Sequence, residues 1–363
     1  MARTKRILIS GYYGFSNAGD EAVLSGIVSG LRRLGGEKLE ITVLSASPEE
    51  TSRMHRVHSI PRTSWRHLRE ALRVADLVIS GGGSLIQDAT SLRSLLYYLL
   101  VIWLAQRYHQ RVMVLGQGIG PLKRRVSRRL SEVVLNKVDL ITVRDPDSAE
   151  FLKRIGVRKP IQVTADPAFL LDTKDASGLA SLPETWSGLF ASSDVITLAL
   201  REWSPRPLIA RAAIEGLKRL DIPARLFLVA MHAPPDVELA QQICKEVNGC
   251  VAQTHMLSPR ELIALVGASK MVVAMRLHAL IFAGVCGIPM LGIAYDPKVR
   301  SFLDTVHQDC MSLEELEAGS LPERIKDTWN HREDLALRLS ERVPALRTAA
   351  EQNVRLALEL LEL

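Results

Sequence analysis

Two α/β domains, each a doubly wound parallel sheet, are predicted by three observations. Short apolar runs alternate with segments of helical period, that alternation breaks in a polar stretch near residues 173–193, and it then restarts. Buried-type strands alternating with helices form parallel sheets covered on both faces. The chain has 363 residues, ample for two domains of ordinary size. We therefore expect a first domain over residues 1–172, a linker over 173–193, and a second domain over 194–363 that ends in a helical tail. The two domains are expected to face each other across a cleft.

The elements follow in order. Arg6–Ser10 reads as a strand, and Asp20–Leu34 as a helix whose apolar positions Val23, Leu24, Ile27, Val28 and Leu31 fall on one stripe. Strand Leu39–Leu44 ends at Ser-Ala-Ser-Pro and is followed by a Trp/Arg-rich helix near Ser64–Val74. Strand Asp76–Ser80, helix Leu92–Tyr108, strand Arg111–Leu115, helix Lys123–Val138 and strand Leu140–Val143 complete the first half. After the Thr/Ser/Asp/Gly/Pro-rich break come strand Asp194–Leu200, helix Leu208–Leu220, strand Arg225–Ala230 and helix Asp236–Val247. Helix Pro259–Gly267, capped by Ser258, precedes strand Met271–Met275, helix Leu277–Val285 and strand Pro289–Ala294. From about Leu313 the pattern is helical and rich in Glu, Arg and Leu.

Composition narrows the class. Hydrophobic residues make up 47% and charged residues 24%, which excludes a disordered or fibrous chain. The net charge of +6 is unevenly spread: residues 1–170 carry 26 Lys/Arg and 15 Asp/Glu, and residues 171–363 carry 20 and 25. A basic front half points to an anionic partner there. The four cysteines (Cys244, Cys250, Cys286, Cys310) have no zinc-type spacing, so reduced thiols and no metal are expected. The apolar run Ile7-Leu8-Ile9 is too short for a signal peptide, and the 11 residues Leu95–Ala105 cannot span a bilayer. With only 5% aromatics and no stacking residues among its basic run, nucleic-acid binding is disfavoured.

Ligands of open parallel sheets bind beyond the carboxyl ends of the strands, and five loops lie there. Gly11-Tyr12-Tyr13-Gly14-Phe15-Ser16-Asn17-Ala18-Gly19-Asp20-Glu21 lacks the dinucleotide glycine spacing. It reads as an anion or hydroxyl site entering a helix, with Ser16 and Asn17 as contacts. Asp20 is either the helix cap or a carboxylate able to take a proton from a sugar hydroxyl. Gly81-Gly82-Gly83-Ser84 suggests close approach of a ligand at Gly82, Gly83 and Ser84, since consecutive glycines are entropically unfavourable. In Gly116-Gln117-Gly118-Ile119-Gly120-Pro121, a ligand-facing Gln117 competes with a plain structural turn. Arg144 ends a strand, where its planar fork suits a carboxylate or phosphate, against the alternative of an ion pair with Asp145. Arg276-Leu277-His278 opens a helix whose N-terminus favours anions, and Lys298 follows the next strand. Arg144, Arg276 and Lys298 with His278 describe a site for a small, multiply charged anion and a proton-transferring imidazole.

Taken together, the Gly-Tyr-Tyr-Gly-Phe-Ser-Asn-Ala-Gly-Asp-Glu loop, Gly-Gly-Gly-Ser, Gly-Gln-Gly-Ile-Gly-Pro, Val-Arg-Asp and Met-Arg-Leu-His-Ala closely resemble the polysaccharide pyruvyltransferase family. The likeness runs from residue 7 to about residue 305 with the motifs in family order, and is greatest to the branch that pyruvylates a bacterial cell-wall glycan recognised by S-layer homology domains. The resemblance implies a glycosyltransferase B-type-like fold of two Rossmann-like domains, phosphoenolpyruvate as donor, and no cofactor or metal. It implies a sugar with free O4 and O6 hydroxyls as acceptor, giving a 4,6-pyruvate ketal. The acceptor of that branch is a lipid-linked N-acetylmannosamine–N-acetylglucosamine disaccharide, so a cytoplasmic enzyme, peripheral to the inner face of the membrane, is expected. On this reading His278 is the general acid, Arg144, Arg276, Leu277 and Lys298 meet phosphoenolpyruvate, and Asp20 orients or deprotonates the acceptor.

Two other classes fit the same architecture. One is a nucleotide-sugar glycosyltransferase using an Arg/Lys pair on a diphosphate. The other is a non-catalytic glycan- or membrane-binding protein. Leu95–Ala105 reads as a buried helix or a lipid contact, and Lys123–Arg129 as a solvated face or an attractor of anionic headgroups or the acceptor diphosphate.

Overall fold

In the computed structural model, which describes residues 3–89, 91–173, 177–203 and 208–362, two parallel sheets organise the chain. The first holds β1 (Lys5–Ser10), β2 (Leu39–Ser45), β3 (His58–Pro61), β4 (Leu77–Gly81), β5 (Arg111–Gln117), β6 (Leu140–Val143) and β7 (Ile161–Val163) in the order β3-β2-β1-β4-β5-β6-β7. The second holds β8 (Val195–Ala199), β9 (Arg225–Leu228), β10 (Cys250–Ala252), β11 (Met271–Ala274), β12 (Met290–Ala294) and β13 (Asp309–Ser312) in the order β10-β9-β8-β11-β12-β13. The central strands β4, β8 and β11 are buried along their whole length, as Val/Ile/Leu/Ala runs covered on both faces require. Each sheet reverses its winding beside its first strand, at β1/β4 and at β8/β11.

Helices α1 (Ala18–Gly35), α2 (Pro48–His55), α3 (Trp65–Val74), α4 (Leu92–Arg107), α5 (Arg125–Leu135) and α6 (Pro146–Arg154) cross over the first sheet. Helices α7 (Ser177–Ala180), α8 (Glu184–Ser192), α9 (Leu208–Lys218), α10 (Pro235–Glu246), α11 (Pro259–Gly267), α12 (Leu277–Cys286) and α13 (Pro297–Val306) follow, then α14 (Leu313–Glu317), α15 (Leu321–Asn330) and α16 (Arg332–Leu360). Their starts are written in the sequence. Ser258 and Glu261 form a reciprocal capping box on α11. Asp-Pro dipeptides open α6 and α13, where Asp145 accepts from the Ser148 amide at 2.7 Å and Asp296 from the Lys298 amide at 2.9 Å. Helices α3, α4 and α5 share one apolar core with Leu8, Val78, Val112 and Val114 on one face of the first sheet.

The chain divides into two compact units. One comprises residues up to Phe15, Asp20–Leu171 and the chain from Leu346 onward; the other comprises Ser16–Gly19 and Asp172–Ala345. Residues 173–193, expected as a linker, include α7 and α8, and within them Leu182 and Trp186 are buried. Trp186 packs edge-on against Phe227 of β9 at 5.2 Å, so its apolar surface outweighs the polar composition around it. The end of α16 is tied to the first unit: buried Asn353 accepts from Thr142 and Thr164 hydroxyls at 2.6 and 2.8 Å and donates to the Ala165 carbonyl at 3.0 Å. Cys244 and Cys250 are joined as a disulfide, with Cα atoms 5.1 Å apart, where reduced thiols were expected; Cys286 and Cys310 are free. The turn from α10 into β10 brings those two side chains together. Among the described residues no helix is long and apolar enough to cross a membrane.

Candidate functional site

On the first unit, the carboxyl edge at β1/β4 is lined by the loops the sequence singled out. Glu21 is buried in the first turns of α1; its Oε1 accepts from the Gly14 amide at 2.7 Å and its Oε2 lies 2.8 Å from His55 Nε2, which fixes the path of the loop after β1. Asp20 points at the backbone of Gly83, where a Cβ would lie 2.6 Å from its Oδ1, and Gly83 has φ of +65°. This is the close approach that demands glycine. Gly82 has another reason: with φ of +63°, a Cβ there would strike Val23 Cγ1 at 1.7 Å, so it serves helix–strand packing. Beside them Tyr12 and Phe15 stack with centroids 4.2 Å apart, and the Arg62 guanidinium lies 4.9 Å over Phe15 and 4.1 Å over Tyr97. Burial, reinforced by the Asp20 charge, pushes the Tyr12 phenol up, keeping it a donor.

Arg144 is held rather than free. Its Nη1 donates to buried Asp166 at 2.7 Å and its Nη2 to Ser84 Oγ at 3.4 Å, while Asp145 lies at 3.7 Å. The guanidinium lies against Gly118, where a Cβ would come within 2.8 Å of its Nε. Gln117, expected to face a ligand, is instead fully buried. Its Nε2 donates to the Ser80 carbonyl and hydroxyl at 2.8 and 2.9 Å, bracing β5 on β4 beside the irregularity where β5 shifts register against β6 and Gly116 takes φ of 55°.

On the second unit the residues form a connected set. Asn17 makes an antiparallel bridge to His232, and the Ala18 amide donates to the Met231 carbonyl at 2.9 Å. Asn17 Oδ1 accepts from the Gly19 amide at 3.1 Å, and exposed Ser16 has φ of 53°. Gly19 is where the His278 imidazole rests; a Cβ there would meet His278 Nδ1 at 2.2 Å. Arg276, at the N-cap of α12, is clamped by Asp236 through Nε–Oδ2 at 2.9 Å and Nη2–Oδ1 at 2.5 Å. Asp236 is almost wholly buried and also accepts from the Met231 and His232 amides at 3.3 and 3.0 Å. The His232 imidazole is pushed below its ordinary range by burial first and then by the Arg276 charge, with Asp236 opposing and Arg201 adding. Arg201 follows the central strand β8, donates to the Tyr295 hydroxyl at 3.3 Å and lies 5.3 Å from the Trp203 ring centre. Leu277 and Lys298 sit half-buried in the first turns of α12 and α13, at the ends of the adjacent strands β11 and β12.

The residues named from sequence thus fall into two groups. Asp20, Gly82, Gly83, Ser84, Gln117 and Arg144 belong to the first unit, and Ser16, Asn17, Arg276, Leu277, His278 and Lys298 to the second. Sequence reasoning missed Arg62, Asp166, Arg201, His232 and Asp236. Arg201 and His232 stand just past strand ends, the same signal that marked Arg144 and Arg276.

Comparison with known proteins places this geometry in a family. The model of the polysaccharide pyruvyl transferase family matches residues 17–297. Among curated proteins, the amylovoran biosynthesis protein AmsJ of Erwinia amylovora is 22% identical over 242 residues, 55% of this chain and 57% of that protein. The chain therefore spans little more than half the length of that relative. Among solved structures, Anabaena Alr3699/HepE in complex with UDP-glucose aligns with a TM-score of 0.63 at 13% identity, covering 98% of this chain and 99% of that one. A glycosyltransferase from Rickettsia africae aligns at 0.64 and 12% identity over 99% of both chains. The UDP-GlcNAc 2-epimerase from Neisseria meningitidis aligns at 0.64 and 12% identity, over 98% of this chain and 99% of that one. These likenesses show the fold, which is glycosyltransferase B-type-like. With the family model covering most of its length, this chain belongs to the polysaccharide pyruvyl transferase family.

Proposed function

We propose that the protein transfers pyruvate from phosphoenolpyruvate to a sugar of a lipid-linked cell-wall polysaccharide precursor, forming a 4,6-ketal and releasing phosphate. The observation that carries this reading is the connected set on the second unit. A bidentate, buried carboxylate orients Arg276 at a helix N-terminus, and the His278 imidazole lies within the first turn of the same helix. Cations at fixed positions beside a helix N-terminus suit a small donor bearing phosphate and carboxylate. Arg276, Lys298 and Arg201 would hold those groups and stabilise charge as phosphate leaves.

The chemistry divides among these groups as follows. Protonated His278 delivers a proton to the methylene carbon of the enol phosphate, whose C2 becomes electrophilic. The first sugar hydroxyl adds to C2. Phosphate then departs, and the second hydroxyl closes the ketal at the same carbon. Of the two hydroxyl protons released, one balances the proton gained by the methyl group and the other leaves with phosphate. Asp20 is the proposed acceptor of a hydroxyl proton, and the Tyr12–Phe15 pair a platform for the apolar face of a pyranose. Arg144, oriented by Asp166, is a candidate second anion contact on the first unit.

Phosphate release from phosphoenolpyruvate in the presence of acceptor tests the assignment. His278→Ala should abolish it while phosphoenolpyruvate still raises the melting temperature. Near-normal release by His278→Ala would remove the acid role, and stabilisation by a nucleotide sugar but not by phosphoenolpyruvate would favour a glycosyltransferase.

A further inference from the structure

The outer face of α4 and α5 is not accounted for by the reaction. On α4, Leu96, Leu100 and Trp103 are exposed, Trp103 by 46%, at a spacing that puts all three on one stripe. On α5, Val126, Leu130 and Val133 repeat the arrangement, Val126 exposed by 64%. The two helices lie side by side on one face of the first sheet: both enter the same core, and Gln106 Nε2 of α4 donates to the Val134 carbonyl of α5 at 2.9 Å. Their opposite sides therefore look outward together, and six large apolar side chains line a shared exposed surface. A patch of this kind marks an interaction site rather than ordinary surface.

Charge identifies the occupant. Residues 89–138 contain nine Lys/Arg and a single acid, Glu132, which is paired with Arg129 at 2.7 Å. Exposed Arg93 and Arg107 fall on the same stripe as the α4 apolar residues, one at each end, and Arg125 and Arg129 flank the α5 stripe. The face continues onto α3 through Arg69, whose Nε donates to the Tyr108 hydroxyl at 3.3 Å; there Trp65 is 52% exposed, and the acid of that helix, exposed Glu70, is paired with Arg66 at 3.0 Å. An apolar stripe rimmed by arginines, carrying interfacial tryptophans and almost no acid, matches the depth profile of a bilayer surface: acyl boundary at the centre and anionic headgroups at the rim. A second copy of this face would bring arginines against arginines. We infer that the α3–α4–α5 face is a docking surface for an anionic lipid bilayer. The inference is independent of the donor chemistry above, because the surface can be assayed with neither donor nor acceptor present.

Co-sedimentation of the full chain with phosphatidylglycerol-containing vesicles, against pure phosphatidylcholine vesicles, tests it. Binding is expected to the anionic vesicles alone, and to weaken as salt rises. Each basic residue near such a surface is worth about fivefold in partitioning, so Arg93→Gln with Arg125→Gln should weaken binding on the order of twentyfold. Leu100→Ser with Trp103→Ser should weaken it by about tenfold or more, with the variant still folded at the assay temperature by circular dichroism. Absence of sedimentation at low salt, or wild-type binding by both double variants, would overturn the inference. So would a wild-type dimer that Trp103→Ser converts to monomer without any vesicle binding, which would make the face a contact between copies.

Discussion

Replacing Asp236 by Asn tests whether Arg276 is positioned by the carboxylate behind it. Asp236 accepts four hydrogen bonds, three of them on Oδ2, from Arg276 Nε and the Met231 and His232 amides. An Asn carbonyl in the Oδ2 position keeps those three and turns its NH2 group against Arg276 Nη2, now bonded at 2.5 Å to Oδ1. One charge-assisted bond is lost and the paired charge is removed, a destabilisation of about 2–3 kcal/mol. For a unit of this size the melting temperature should fall by roughly 4–10 °C. A guanidinium no longer held in two places should lower kcat/KM for phosphoenolpyruvate by about 10–100-fold. A second readout separates positioning from general damage. Asp236 is the group that holds the His232 pKa up against burial and Arg276, so in Asp236→Asn His232 should titrate lower still by NMR. A variant with kcat/KM within about twofold of wild type and an unmoved His232 would refute the reasoning.

Other outcomes follow from single contacts. Gly19→Ala should leave stability within about 1 kcal/mol, since Ala suits the first turn of a helix, yet its Cβ would displace His278 and activity should collapse. Gly82→Ala should do the reverse, unfolding the first unit earlier through its positive φ and its clash with Val23, as a thermal melt would show. Because the folded state depresses the His232 pKa, the unfolded chain protonates there first. Stability should then decline as pH falls from about 6.5 to the folded pKa and level off below it, and His232→Gln should flatten that part of the curve.

The alternation of strands and helices was legible because central elements carry their burial in composition. Ile7, Leu8 and Ile9 of β1, Val272 and Val273 within the Met271–Ala274 run of β11, and the Ser258 cap all read directly. What could not be read were the edges. β7 and β10 are three residues each and only partly buried, and β3 and β13 are four, so no apolar run of ordinary strand length marks them. In the candidate site, Arg276, His278, Arg144 and Asp20 were named as candidates because each lies beyond a strand end and can bear chemistry. Their partners were not: Asp236 and Asp166 contribute through contacts 40 and 22 residues distant in sequence, which no local pattern records. Gln117, a polar residue in a glycine loop that reads as a ligand contact, ends a strand whose last six residues are all buried, and Ser80 takes up its carboxamide nitrogen.

The central claim is tested most directly by the product. After incubation of the protein with phosphoenolpyruvate and a lipid-linked N-acetylmannosamine–N-acetylglucosamine acceptor, a mass spectrum with NMR of the glycan should show one pyruvate ketal bridging O4 and O6, with phosphate released in equal amount. An unmodified acceptor under those conditions, with sugar transferred instead from a nucleotide-sugar donor, would contradict the account.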